Sequence, residues 1–120
     1  MRNFKKLEIW KKGIHIVKEI YKVSNVLPKE EKFGLRSQIT RAAVSVPSNI
    51  AEGCSRNSEI EFKRFLKISL GSLFEVETQL IIAQELNFLQ MNQTKQLSGL
   101  IEEESKMINK LIIKIRNNNR

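Results

Sequence analysis

Any chemistry in this chain must be done with glutamates, one histidine and one cysteine, because the sequence contains no aspartate. A Ser-His-Asp relay is therefore excluded. His15 is the single imidazole and Cys54 the single thiol. One chain can then build neither a His pair for a metal, nor a multi-cysteine zinc site, nor an internal disulfide. A carboxylate metal site in a helical bundle uses Glu-x-x-His pairs, but the residue three before His15 is Lys12. Glu75 and Glu77 are two apart and point to different sides of a helix. Glu102, Glu103 and Glu104 read as a solvated surface run. There is no glycine-rich phosphate loop and no Gly-x-Ser-x-Gly elbow. By the 100° step His15 falls on a polar arc between Lys22 and Glu8, as a solvated side chain would. Cys54, next to Gly53, reads as a small buried thiol, and Trp10 as a core residue. The expectation is a non-enzymatic protein with no metal, no cofactor and no small-molecule substrate.

Two polar patterns remain. Gln38, Arg41, Ser45, Asn49 and Glu52 recur every three or four residues. They form a polar stripe beside the apolar face of one helix. Amides and a serine stand there in place of the usual Lys and Glu, close to a proline inside the helix. That choice suits groups with partners rather than solvated ones. The stripe is expected to hold its helix against Glu75 or against a neighbouring subunit, with Arg41 and a glutamate as a charge-assisted pair. The second pattern is basic. Lys11, Lys18 and Lys22 lie within about 40° of one another on a first helix. Lys106, Lys110 and Lys114 form an i, i+4, i+8 row on a last one. If the first and last helices are neighbours, the two rows join into one surface for phosphates.

These groups need helices to carry them, and the apolar spacing supplies four. Leu7, Trp10, Ile14, Val17 and Tyr21 form one stripe, and Ile9, Ile16, Ile20 and Val23 a second beside it. Together they make an apolar arc of roughly 200°, wider than one bundle core needs, so part of it is expected in a subunit interface. After a connection at residues 24–29, the second segment runs from about Glu30 to Cys54. Its face is Leu35, Ile39, Ala42, Val46, Ile50 and Gly53, and a kink is expected at Pro47. The alternative is a helix that ends near Val46 and restarts with Pro47 in its first turn. Ser58 and Glu61 fit a capping box for a third segment reaching Glu85, through Phe62, Leu66, Ser69, Leu73, Val76, Leu80 and Ala83. Gly71 and Ser72, in mid-helix, suggest close approach of a neighbour. Asn92 is the expected N-cap of the fourth segment. That segment carries Leu97, Leu100, Ile101, Met107, Ile108, Leu111, Ile112 and Ile115 and ends near Arg116, leaving a frayed Asn-rich tail at 117–120. The fold expected is all-α, an antiparallel up-and-down four-helix bundle forming one domain over 1–120.

Composition agrees. At 120 residues, 41% hydrophobic and 28% charged, the chain has a globular balance and not a disordered one. Glu8, Lys11 and Lys12 interrupt any apolar leader after the basic start, and no run reaches membrane-span length. A cytoplasmic protein without a membrane partner is expected. The net charge of +8 is uneven. Residues 1–23 hold seven basic and two acidic side chains, 58–92 hold three and five, and 93–120 hold six and three. Positive charge at the two chain ends suits a polyanion such as RNA.

Leu7 and Trp10, then Pro28, Glu31, Gly34-Leu35, Gln38 and Arg41, lead into the block Ser45-Val46-Pro47-Ser48-Asn49-Ile50-Ala51-Glu52-Gly53. Phe62, Phe65-Leu66, Gly71-Ser72-Leu73, Glu75 and Glu77-Thr78-Gln79-Leu80 continue the pattern. Over nearly its whole length the chain resembles the four-helix-bundle proteins encoded within intervening sequences of bacterial 23S ribosomal RNA genes. Ser69 departs from the family, which more often has alanine before the Gly-Ser pair. The resemblance implies a left-handed bundle assembling into a homopentameric ring. It also implies RNA binding, ribosomal RNA included, as inferred from gene location and basic charge. A related group resembles accessory factors of retroelement reverse transcriptases. Two functions follow. In one, an oligomer binds structured RNA through phosphate contacts. In the other, the chain is a protein–protein adaptor or scaffold whose charge only keeps it dissolved.

Overall fold

The structure is a computed structural model and describes residues 2–118. The side chains of residues 2–117 are described, so part of the Asn-rich tail lies outside this range. Four helices account for most of the chain: α1 Glu8–Ser24, α2 Leu35–Cys54, α3 Glu59–Glu85 and α4 Met91–Asn118. Short 3-10 turns at Phe4–Lys6 and Lys29–Glu31 precede α1 and α2. Each helix packs on its two neighbours in the cycle α1, α2, α3, α4, and the backbones of the diagonal pairs lie farther apart. This is the up-and-down bundle, with principal extents of 48 × 22 × 20 Å.

Helix ends follow from particular side chains. The hydroxyl of Ser58 accepts from the Glu61 amide at 3.0 Å, so half of the expected capping box forms. Glu61 itself turns to Arg64. The second helix starts five residues later than expected, because residues 29–31 make a separate turn. That turn places the Glu31 carboxylate to accept from the Leu35 amide at 3.0 Å, capping α2. α3 ends where Asn87 adopts φ 63° and the Phe88 amide reaches back to the Ala83 carbonyl at 2.8 Å. α4 starts at Met91, so Asn92 lies inside the helix instead of capping it. The Gln93 side chain accepts from the Gln90 amide at 2.7 Å and does the capping. Gln84 donates to the buried Thr94 hydroxyl at 2.6 Å and locks this turn.

The second stripe of α1 is buried in the core, and Leu7, Trp10 and Val17 of the first pack partly against it. Ile9, Ile16, Ile20 and Val23 are buried, whereas Ile14 and Tyr21 are exposed. α2 continues as one helix through Pro47, which is buried, so the alternative of a break at Val46 does not occur. Ser69, fully buried on α3, donates to the Val46 carbonyl at 2.8 Å. This hydrogen bond ties α3 to α2 beside the proline. The N-terminal segment straps the α2–α3 end. The Arg2 amide donates to the Cys54 carbonyl, its guanidinium lies 4.0 Å from the centre of the Phe62 ring, and it pairs with Glu59 at 2.6 Å.

The glycines divide by what surrounds them. A Cβ on Gly53 would lie 2.9 Å from Phe65 Cβ and 3.3 Å from the Phe62 carbonyl oxygen. Its bare backbone is what lets α2 and α3 approach. Gly71 does the opposite of what its mid-helix position suggested, because nothing lies within 4 Å of a Cβ there. Its neighbour Ser72 makes the helix contact instead. Gly53→Ala should therefore lower unfolding free energy in urea by about 1–3 kcal/mol, the cost of overpacking. Gly71→Ala should raise it by up to about 1 kcal/mol from helix propensity alone. Equal effects from the two substitutions would contradict this packing.

Candidate nucleic-acid interface and the polar cleft

All six candidate lysines are exposed. On α1, Lys11 and Lys22 have local partners in Glu8 at 3.5 Å and Glu19 at 3.0 Å, and on α4 Lys106 pairs with Glu102 at 3.1 Å. Pairs this exposed hold little energy and can be given up to a phosphate. Lys18, Lys110 and Lys114 make no ion pair among the described residues. α1 and α4 pack side by side, and their register staggers the two rows. Lys12 meets Glu103 at 2.6 Å, and Lys22 lies along a groove with Gln93 and Gln96. The helices are antiparallel, so Lys18 and Lys110 lie on opposite sides of the Lys12–Glu103 level. At 1.5 Å per residue they are about 20 Å apart along the bundle. Only Lys11 and Lys106 share a level. The rows thus run in opposite directions along the bundle from a shared level at Lys11 and Lys106.

The polar stripe of α2 runs along the α2–α3 junction. Asn49 donates to the Ser45 carbonyl and hydroxyl, both at 2.8 Å, and the Ser45 hydroxyl meets that of Ser72 at 2.8 Å. Gln79, buried on α3, holds Gln38 at 3.4 Å and Glu75 at 3.2 Å through one amide nitrogen. Glu52 reaches only Arg56, one turn on, at 3.1 Å. Gln38, Ser45 and Asn49 therefore have partners. Arg41 is exposed and forms no pair with Glu75. The two instead line one cleft of about 480 Å³ together with Phe33, Gln38, Ser45 and Ser72. Gln79 engages one oxygen of the Glu75 carboxylate along α3, and Arg41 lies on the α2 wall.

Glu104 is where the sequence reading fails outright. It is not part of a surface run: it is fully buried, and neither carboxyl oxygen has a hydrogen-bond partner. A Cβ on Gly13 would stand 3.3 Å from its Oε2 and 3.3 Å from Pro47 Cβ, so α1 has a glycine where α2 and α4 press closest. Burial pushes the carboxyl up to about 8, against a smaller opposing pull from Lys12. The spacing Leu97, Ile101, Glu104, Ile108 places it on the core face of α4. That periodicity was visible in the sequence and outweighs the run of three glutamates. His15 is exposed, and Cys54 is buried with its thiol pushed up by burial. Among the described residues no group of three or more His, Cys, Asp or Glu could hold a metal ion. No helix described is long and apolar enough to cross a membrane.

An antiparallel four-helix bundle with basic patches on its outer helices and a polar α2–α3 seam defines the class of protein. The model of the 23S rRNA-intervening sequence protein family matches residues 5–110, and the chain belongs to that family. Its fold is similar to the crystal structure of a protein of unknown function from the S23 ribosomal protein family of Bacteroides thetaiotaomicron. The TM-score is 0.80 and the identity 24%, over 87% of this chain and 97% of that one. No curated protein matches the chain. Neither the family's description nor the neighbour's names an enzymatic activity.

Glu104 makes stability depend on pH in a fixed direction. Its folded-state value of about 8 is raised above the ordinary 4.5. The folded state therefore keeps the proton, and the associated stability is complete below 4.5 and falls as pH rises through about 8. Thermal unfolding of Glu104→Gln should show a flatter profile than the parent across that window. Parallel profiles would mean the carboxyl is solvated in the folded protein.

Proposed function

We propose that the chain is a non-enzymatic, cytoplasmic RNA-binding protein that works as a homo-oligomer, a pentamer on the family pattern. The observation that carries this reading is the set of exposed lysines on α1 and α4 in a chain of net charge +8. Phosphates contacted by such lysines are held as point charges, without reading of sequence. Two lysine rows staggered along the bundle suit an extended polyanion better than a compact ligand. Repetition of both around a ring would multiply weak contacts through avidity. Assembly is supported by an apolar groove of about 270 Å³ between α1 and α2, lined by Trp10, Ile14, Val17, Val44, Pro47 and Ala51. It contains Trp10, Ile14 and Val17 of the first α1 stripe, which the protomer's own core covers only in part.

The groove also favours a second reading, in which it receives a different protein and the chain is an adaptor. Light scattering separates the two first. A homo-oligomer should give a multiple of the 13.9 kDa protomer mass, about fivefold for the ring, at micromolar concentration. A protomer mass alone would remove the assembly. RNA binding is then tested with lysines 11, 18 and 22 changed together to glutamate, in a variant shown to be folded and assembled. Affinity for structured RNA should fall for all sequences alike, with a shallower salt dependence. Parent-like binding across a salt series would show that the α1 patch takes no part.

A further inference from the structure

We infer that RNA phosphates are held at one end of the bundle, the end where α2 turns into α3. The up-and-down topology brings three separate stretches of chain to that end. The Arg2 amide donates to the Cys54 carbonyl and its guanidinium pairs with Glu59 at 2.6 Å, which ties the chain start to the α2–α3 turn. Lys12 meets Glu103, so the antiparallel last turns of α4 run alongside the residues that lead into α1. Residues 2–8, 52–67 and 106–117 therefore form this end, and they hold eleven basic and four acidic side chains. The opposite end, residues 18–36 and 75–95, holds six of each, and the segments between hold three of each. Nearly all of the net charge of +8 thus sits at one end of the molecule. Sequence order hides this, because the α2–α3 turn lies in the middle of the chain.

The acids at this end are already engaged. Glu59, Glu52 and Glu61 pair with Arg2, Arg56 and Arg64, and Glu8 pairs with Lys11. Lys5, Lys6, Lys63, Lys67, Lys110 and Lys114 make no ion pair among the described residues. Two of the arginines also share one ring. The guanidinium carbons of Arg56 and Arg64 lie 5.0 and 5.4 Å from the centre of Phe65, so they are at most about 10 Å apart. A guanidinium fixed on a ring has less freedom to lose on binding, and each keeps N–H donors beyond those its glutamate uses. Cations spread over an end of 22 × 20 Å fit a chain of phosphates better than one small anion. A lipid surface would ask for an apolar face as well. The exposed large apolar residues of these segments are Ile60 and Ile113, on different helices. The inference rests on the RNA-binding reading above and adds to it the α2–α3 turn, which that reading does not use.

The test measures binding of a labelled RNA hairpin to the full chain by fluorescence anisotropy across a salt series. Lys63→Glu with Lys67→Glu reverses two unpaired cations of the basic end. Lys29→Glu with Lys32→Glu makes the same change of net charge at the opposite end. Both variants are first shown to be folded and assembled like the parent, by circular dichroism and light scattering. The first should lose about tenfold in affinity at low salt, and its slope of log affinity against log salt should flatten by about one to two. The second should change affinity by no more than about threefold. Equal losses in the two variants would mean that RNA answers to net charge alone, and would overturn the site. Parent-like binding by the first overturns the site and leaves the RNA-binding reading standing. No RNA binding by the parent at any salt removes both. Parent binding to phosphatidylserine vesicles in its place, lost with Lys63→Glu and Lys67→Glu, would make this end a membrane surface. If the first variant misfolds, photo-cross-linking of 4-thiouridine RNA to the parent decides. Cross-linked peptides should include residues 52–67, and their absence there overturns the site.

Discussion

Three helices meet at Gly13, Pro47 and Glu104, and the spacing of the bundle depends on that contact. Gly13 has no side chain, so the proline ring of α2 and the carboxyl of α4 can occupy the space beside α1. Pro47 cannot donate to the carbonyl one turn back, and its ring stands where a neighbouring helix must accommodate it. Ser69 braces the same point from α3 through the Val46 carbonyl. All four helices thus have a stake within one turn of the proline. A carboxyl at such a place survives only by holding its proton, because an ionised group without a partner is far too costly in a dry interior. Stability and protonation are linked at the centre of the bundle, where packing leaves least room for adjustment.

Charge is arranged differently on the outside. Exposed lysines lose little hydration and gain little from their local glutamates, so they stay available to a polyanion. Their position along the bundle, however, is set by how α1 and α4 slide against each other, and the Lys12–Glu103 contact fixes that register. The two lysine rows therefore start from a shared level at Lys11 and Lys106 and run apart along the bundle.

The α2–α3 seam lies between these regimes. Ser45 meets Ser72 and Gln79 donates to Gln38 across the helix pair, while the buried Gln79 carbonyl oxygen has no partner, and the junction is held without a buried ion pair. The side chains left over, Arg41 and Glu75, face the same cleft from opposite walls. A stripe that looked purely structural therefore has an inner part that holds the helices and an outer part with free hydrogen-bonding capacity. The division follows from depth. Groups near the seam must be paired to be buried, and groups at its rim are stabilised by water until something replaces it.

The four helices, their order and most of the core were legible from apolar spacing, because a helix that must bury one face records it every three or four residues. The Ser58 cap was legible for the same local reason. The lysine rows were also correctly placed on exposed faces. Sequence could not fix what depends on the distance between helices. It gave α1 one wide apolar arc without saying which part lies deepest, since both stripes satisfy the periodicity and only the fit to α2 and α4 buries Ile9, Ile16, Ile20 and Val23 while exposing Ile14 and Tyr21. It gave Gly71 a close contact that Gly53 makes instead, because a glycine's need depends on what faces it. It expected Arg41 to pair with a glutamate of this chain or of a neighbouring subunit, and within the chain Glu75 takes its hydrogen bond from Gln79. Glu104 is the clearest case: the chain placed a glutamate on a core-facing position, and only the absence of a side chain at Gly13, one helix away, makes that position habitable.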